Sequence, residues 1–173
     1  MKMRGFEVVT SKRAAEVKLP KRSTKNSAGY DFFAYEDIVI EPVFYKALSG
    51  FIKALISNKE IEEDFGTIKP VMVWTGIKSY MQDDEYLALY NRSSNPKKLG
   101  LILANSVGVV DSDYYNNPDN EGEIGFAFYN IFPWKVTIKK GEKIGQGVFH
   151  KFLKADGDTQ DRDREGGFGS TGK

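Results

Sequence analysis

The chain has 173 residues, of which 40% are hydrophobic and 28% charged, and a formal net charge of +1. That length suits one domain with a proper core, and the near-neutral balance gives no reason to expect a nucleic-acid or anionic-membrane surface. There is no cysteine and a single histidine, His150, which excludes disulfides and a zinc centre of the usual ligands within one chain, and with it zinc-dependent nucleobase deamination.

No apolar run approaches the ~18–20 residues that cross a bilayer, and the N-terminus lacks a signal peptide's hydrophobic core. The expectation is a cytoplasmic, soluble, single-domain protein. In chain order, "FEVV" (6–9), "DFFAYEDIVI" (31–40), "VMVW" (71–74), "EYLALY" (85–90), "LGLILA" (99–104), "GFAFYNI" (125–131), "KVTI" (135–138) and "IGQGVFHKF" (144–152) are rich in Val, Ile, Phe and Tyr. Bounded by Gly, Pro, Asn or Asp, they predict strands, and so many short ones predict a sandwich or barrel. A tight turn at Lys140–Gly141 joins the last two.

One segment breaks this pattern. Phe44, Leu48, Phe51, Ile52, Leu55 and Ile56 recur at helical spacing behind Pro42, and acidic residues follow from Glu60. The spacing predicts an amphipathic helix within 43–65, packed on the β core, although Gly50 inside it costs about 1 kcal/mol relative to alanine. After His150 the chain turns polar and glycine-rich, with too little apolar surface to fold alone. It is either a disordered tail or an arm that orders when something binds beneath it.

The closing "REGGFGSTGK" nearly spells the phosphate loop G-x-x-x-x-G-K-S/T, with Gly167, Gly172 and Lys173 in place. That loop requires a Ser or Thr after the lysine and a helix behind it. Neither follows Lys173, so the expectation is a looser anion nest of backbone N–H groups, helped by Ser170 and Thr171, with Arg164 for charge and Phe168 to stack on a base.

Three internal stretches also carry chemistry. Arg92, Ser93 and Ser94 offer a guanidinium fork and two hydroxyls suited to phosphate, or an ordinary surface turn. In "GVVDSDYY" Asp111 and Asp113 either cap backbone N–H groups or serve a site. Asp31, in "SAGYDFFA", stands at an apolar strand start. It needs a cation, hydrogen-bond donors or water, because an unpaired buried carboxylate is costly.

Taken in order, "AGYDFFA", "RSS", "NSVGVVDSDYY", "GEKIGQ" and "REGGFGSTG" resemble the five motifs of the trimeric dUTPase family, from about residue 20 to the end. The inserted helix resembles phage or Gram-positive members. The resemblance implies a distorted, jelly-roll-like all-β barrel over residues 1–153 and a C-terminal arm, 154–173, closing over a neighbouring subunit's site in a homotrimer. It implies hydrolysis of dUTP to dUMP and pyrophosphate.

By this resemblance Asp111 is the general base that activates water for attack on the α phosphorus. Asp31 meets Mg²⁺ through coordinated water. Asn105 and the backbone of Gly108, Val109 and Val110, with the returning strand near Gly125, read uracil, and Tyr114 packs on the deoxyribose. Arg92, Ser93, Ser94 and Gln146 face the phosphates. In the tail, Phe168 covers the base, and Gly169, Ser170, Thr171 and Arg164 (in preference to Arg162) hold phosphate.

The chain departs from the family pattern at Asn91, where proline is usual, at Gly145, where alanine is usual and its absence reads as a small loss of packing, and at the inserted helix. That helix is either extra core or a docking surface for a regulatory protein. A dCTP deaminase-like enzyme shares the fold and is the alternative activity, but no counterpart of its catalytic glutamate stands out.

Overall fold

The computed structural model describes residues 2–12, 14–57 and 68–159. In chain order come β1 (Gly5–Val8), β2 (Lys21–Arg22), β3 (Tyr30–Phe33), β4 (Ile38–Ile40), helix α1 (Val43–Ser57), β5 (Val71–Trp74), β6 (Ile77–Tyr80), β7 (Glu85–Asn91), β8 (Leu101–Leu103), β9 (Gly108–Asp111), β10 (Gly125–Asn130), β11 (Val136–Ile138) and β12 (Lys143–Lys151).

Alternation along these strands builds two main layers. The larger sheet runs β2-β3-β12-β7-β9 and the smaller β5-β10-β8, while β1 pairs with β6 and β4 with β11. All these pairings are antiparallel. Phe32, Leu87, Leu89, Val110 and Ile144 face inward from the larger sheet and meet Val73, Phe126 and Phe128 from the smaller. The Phe32 and Phe126 rings lie 5.6 Å apart across that interior. The fold is all-β and jelly-roll-like.

The "DFFAYEDIVI" run divides into two strands because the chain changes partners within it. β3 pairs with β12, Tyr35 N then donates to Trp74 O, and β4 pairs with β11. The turn after β11 is tight as expected, with Gly141 at φ +77°. It is a corner and not a hairpin, since β11 and β12 belong to different sheets.

Three strands, β2, β6 and β9, were not expected from residue type. β6 buries Lys78 and Ser79. The Lys78 ammonium is satisfied there by Asn116 Oδ1 at 2.6 Å and Glu121 Oε2 at 3.1 Å.

Helix α1 forms where the spacing predicts, but its large apolar side chains among the described ones do not pack on the β core as expected. Phe44, Tyr45, Leu48, Ile52, Leu55 and Ile56 are all exposed, Ile56 at 81%. A side chain added at Gly50 would meet nothing within 4 Å. Its N-terminus is tied to the body by the bridge from Pro42 to Asn130. The remainder of the expected helical segment, 58–65, lies outside the described residues. Among the described residues no helix is long and apolar enough to cross a membrane.

Candidate active site

Side chains on a strand alternate between faces, and residues directly opposite in a ladder share one. With Leu87, Leu89 and Val110 turned into the core, the outer face of the larger sheet is fixed by register. One row across it is His150, Tyr86 and Asp111. The next is Val148, Ala88 and Val109. A third is Asp31, Gln146 and Tyr90. The expected site residues Asp31, Asp111 and Gln146, far apart in sequence, therefore share one face, as does Val109 beside Asp111.

At one end of this face Asp31 is held firmly. Its Oδ2 accepts from Lys143 Nζ at 2.6 Å and from Ser23 Oγ at 2.6 Å. Burial pushes the Asp31 carboxyl up, but the bonds from Lys143 and Ser23, with the charges of Lys143 and Arg92, outweigh it and hold the group below its ordinary value. Neither Lys143 nor Ser23 was anticipated; Lys143 lies in the "GEKIGQ" motif, and Ser23 carries no signal. Arg92 joins the same end, its Nη1 donating to Lys143 O at 2.8 Å.

Ser93 is exposed and Ser94 partly so, and Ser94 opens a short turn, Asn95–Leu99, without capping it. Asn95, buried at 1%, ties that turn to β12 through Ile144 O at 2.8 Å. Gln146 lies over Gly29, where an added Cβ would come within 3.1 Å of its Cδ. That explains the glycine before Tyr30 in this motif.

At the other end Asp111 closes β9, an edge strand. It stands at the cap position of the short helical turn Ser112–Tyr114, with φ −76° and ψ 160°, yet its side chain makes no capping bond. Asp111 therefore does not cap this turn. The turn delivers Tyr114 into the core, 5% exposed, where its hydroxyl donates to Glu123 O at 3.1 Å and accepts from Asn120 Nδ2 at 2.8 Å.

Beside β9 is a shallow, open recess lined by Met72, Leu89, Leu103, Asn105, Gly108, Gly125, Phe126 and Ala127. Asn105, Gly108 and Gly125 were expected to read a base. Met72, Leu89, Leu103 and Phe126 were missed, because as strand apolars they look like any core residue. The connection into β9 turns at Ser106, whose φ is +59°. Of the two valines, Val109 is 59% exposed on the outer face and Val110 is buried in the core. Arg162, Arg164, Phe168, Gly169, Ser170 and Thr171 lie outside the described residues.

For a metal, the donor set is sparse. Among the described residues no group of three or more His, Asp or Glu gathers to hold an ion. Mg²⁺ typically keeps several waters and takes one or two carboxylates plus substrate phosphates. One carboxylate, Asp31, on a face shared with Gln146 and close to Arg92 fits that pattern.

Comparison with known proteins bears on the family and the fold. The dUTPase family profile matches residues 62–172. The deoxyuridine 5'-triphosphate nucleotidohydrolase of Lactococcus lactis is 48% identical, covering 99% of both chains. The crystal structure of dUTPase from Streptococcus mutans superposes with a TM-score of 0.69 at 40% identity, over 88% of this chain and 99% of that one. A point mutant of the dUTPase from phage phi11 of S. aureus, whose structure describes the coordination of a structural Mg(II) ion, is 15% identical. It covers 93% of this chain and 98% of its own with a TM-score of 0.62, a likeness of fold alone. The chain belongs to the dUTPase family.

Proposed function

We propose that this protein hydrolyses dUTP to dUMP and pyrophosphate, which limits uracil incorporation into DNA and supplies dUMP. The observation that carries the reading is the course of β9, which places Gly108 in the wall of the recess and Asp111 three residues on, about 10 Å away along the strand. A pyrimidine seated in the recess, read by Asn105 and by the backbone of Gly108, Val109, Val110 and Gly125, directs its sugar and α phosphate around the open edge of β9 toward Asp111, which faces the strand's other side. Tyr114 backs the sugar, and a ribose 2′-OH would meet it and lose its water.

Asp111 accepts a proton from water as the water oxygen bonds to the α phosphorus. The bond from that phosphorus to the bridging oxygen breaks, and pyrophosphate leaves. Asp31 would hold Mg²⁺ through coordinated water, and the bound ion would neutralise charge on the triphosphate. Arg92, Ser93, Ser94 and Gln146 orient the phosphates, and the arm from 154 onward, with Arg164, Phe168, Gly169, Ser170 and Thr171, covers the nucleotide.

The site needs more than one chain. Three strand spacings and four residues of ladder separate Asp31 from Asp111, a diagonal of about 20 Å, too far for both to serve one α phosphate. A homotrimer that brings the Asp31 end of one subunit to the Asp111 end of another resolves this. We place the reaction in the cytoplasm, with no nucleic-acid or membrane partner, in keeping with the net charge of +1.

The test is pyrophosphate release from dUTP, UTP, dTTP and dCTP in the presence of Mg²⁺. Strong preference for dUTP is expected. Equal rates on all four, or ammonia release from dCTP, would end the reading. A second, additional role in binding a regulatory protein is favoured by the exposed apolar residues of α1. Identical partners captured with and without residues 43–65 would end that one.

A further inference from the structure

The row that contains Asp111 holds two aromatic groups to which the reaction above gives no part. Tyr86 on β7 is directly opposite Asp111, and His150 on β12 is directly opposite Tyr86. Opposed residues have Cβ atoms about 5 Å apart, so the Tyr86 ring rises beside the Asp111 side chain. The His150 ring stacks on Tyr86, with centroids 5.3 Å apart and planes 20° from parallel. His150 is itself tethered, its Nε2 lying 3.3 Å from the Tyr90 hydroxyl.

Because β9 is the sheet edge, Asp111 has a ladder neighbour on one side alone, and that neighbour is Tyr86. Val109, the next outward residue on β9, faces only Ala88 across the ladder. The side chain set directly beside Asp111 by the ladder is therefore the Tyr86 ring.

We propose that Tyr86, braced by His150 and Tyr90, is a positioning residue for the general base. The ring walls the inner side of the Asp111 carboxylate and holds it in the orientation that meets the attacking water. His150 acts one step further back, by fixing the ring. The sequence hides this, since Tyr86 reads as an ordinary strand aromatic and His150 as a lone histidine. The proposal rests on Asp111 being the base.

The test measures kcat and KM on dUTP, and the affinity for a non-hydrolysable dUTP analogue, in the full-length protein with Tyr86→Ala, Tyr86→Phe, His150→Ala and Asp111→Asn. Misplacing a reacting group by about 1 Å costs on the order of 100-fold. Tyr86→Ala should accordingly lower kcat roughly 10- to 100-fold, with KM and analogue affinity within about threefold. Tyr86→Phe should restore most of the loss, since the ring is what matters, and His150→Ala should lower kcat by a smaller factor in the same direction.

If Tyr86→Ala does not fold, His150→Ala decides, because it leaves Tyr86 in place and removes its brace. Wild-type kcat in the alanine variants, or a phenylalanine variant as impaired as alanine, overturns the proposal provided Asp111→Asn is inactive. An active Asp111→Asn would instead show that the base itself is misassigned.

Discussion

The ring of Phe126 fills the space that a side chain at Gly145 would need. Its Cδ1 lies 2.6 Å and its Cζ 2.7 Å from where a Cβ on Gly145 would stand, with Cε1 closer still. The family's usual alanine is therefore not a missing methyl here. The expectation of a small loss of packing at this position is corrected: the glycine makes room for an aromatic from the opposite sheet, at 1% exposure. Gly145→Ala should destabilise the fold by about 1–3 kcal/mol, the usual cost of overpacking. Combining it with Phe126→Leu should cost less than the two single changes added together, as a double-mutant cycle in urea would show.

The ion pair between Lys143 and Asp31 makes a prediction about pH. The folded carboxyl is held below its ordinary value, so its contribution is complete above the unfolded aspartate's pKa of about 3.9 and is lost as pH falls through the lower folded value. Lys143 is 39% exposed and Asp31 17%, which limits the pair to about 1 kcal/mol. Lys143→Met should therefore be less stable than wild type at pH 6 by about that amount. The difference should narrow steadily on acidification below about pH 4. Urea unfolding at several pH values checks this, and a gap that widens toward acid would refute it.

Much of the fold was legible because short Val-, Ile- and Phe-rich runs have few alternatives to strand. β5 begins and ends where "VMVW" does. β9 was not expected as a strand, since four residues ending in aspartate carry little strand signal alone; pairing with β7 makes them one. The helical spacing of α1 was legible, but whether its apolar residues meet a core depends on the path of the flanking chain, and Phe44, Leu48, Ile52, Leu55 and Ile56 are exposed. At the site, the motifs were legible as a set, through their order along the chain. Their arrangement was not, because the rows joining Asp111 to Tyr86 and His150, and Asp31 to Gln146, are set by ladder register between strands distant in sequence. Lys143 and Ser23 were missed for the same reason.

The separation of Asp31 from Asp111 on one sheet face predicts complementation between subunits. Asp31→Ala and Asp111→Asn proteins, each inactive alone, should recover part of the wild-type dUTPase rate when co-expressed and co-purified through different tags. Some mixed assemblies then join an intact Asp31 end to an intact Asp111 end. Mixed assemblies that remain inactive would show that each site lies within one chain.

The role of Asp111 is the point on which the account depends, and Asp111→Asn tests it most directly, by pyrophosphate release from dUTP alongside calorimetric binding of a non-hydrolysable analogue. Removing a general base costs on the order of 10²–10⁴ in rate while leaving the pocket intact. The expected result is analogue affinity near wild type and turnover reduced by at least about 100-fold. Turnover near wild type with binding retained would contradict the account.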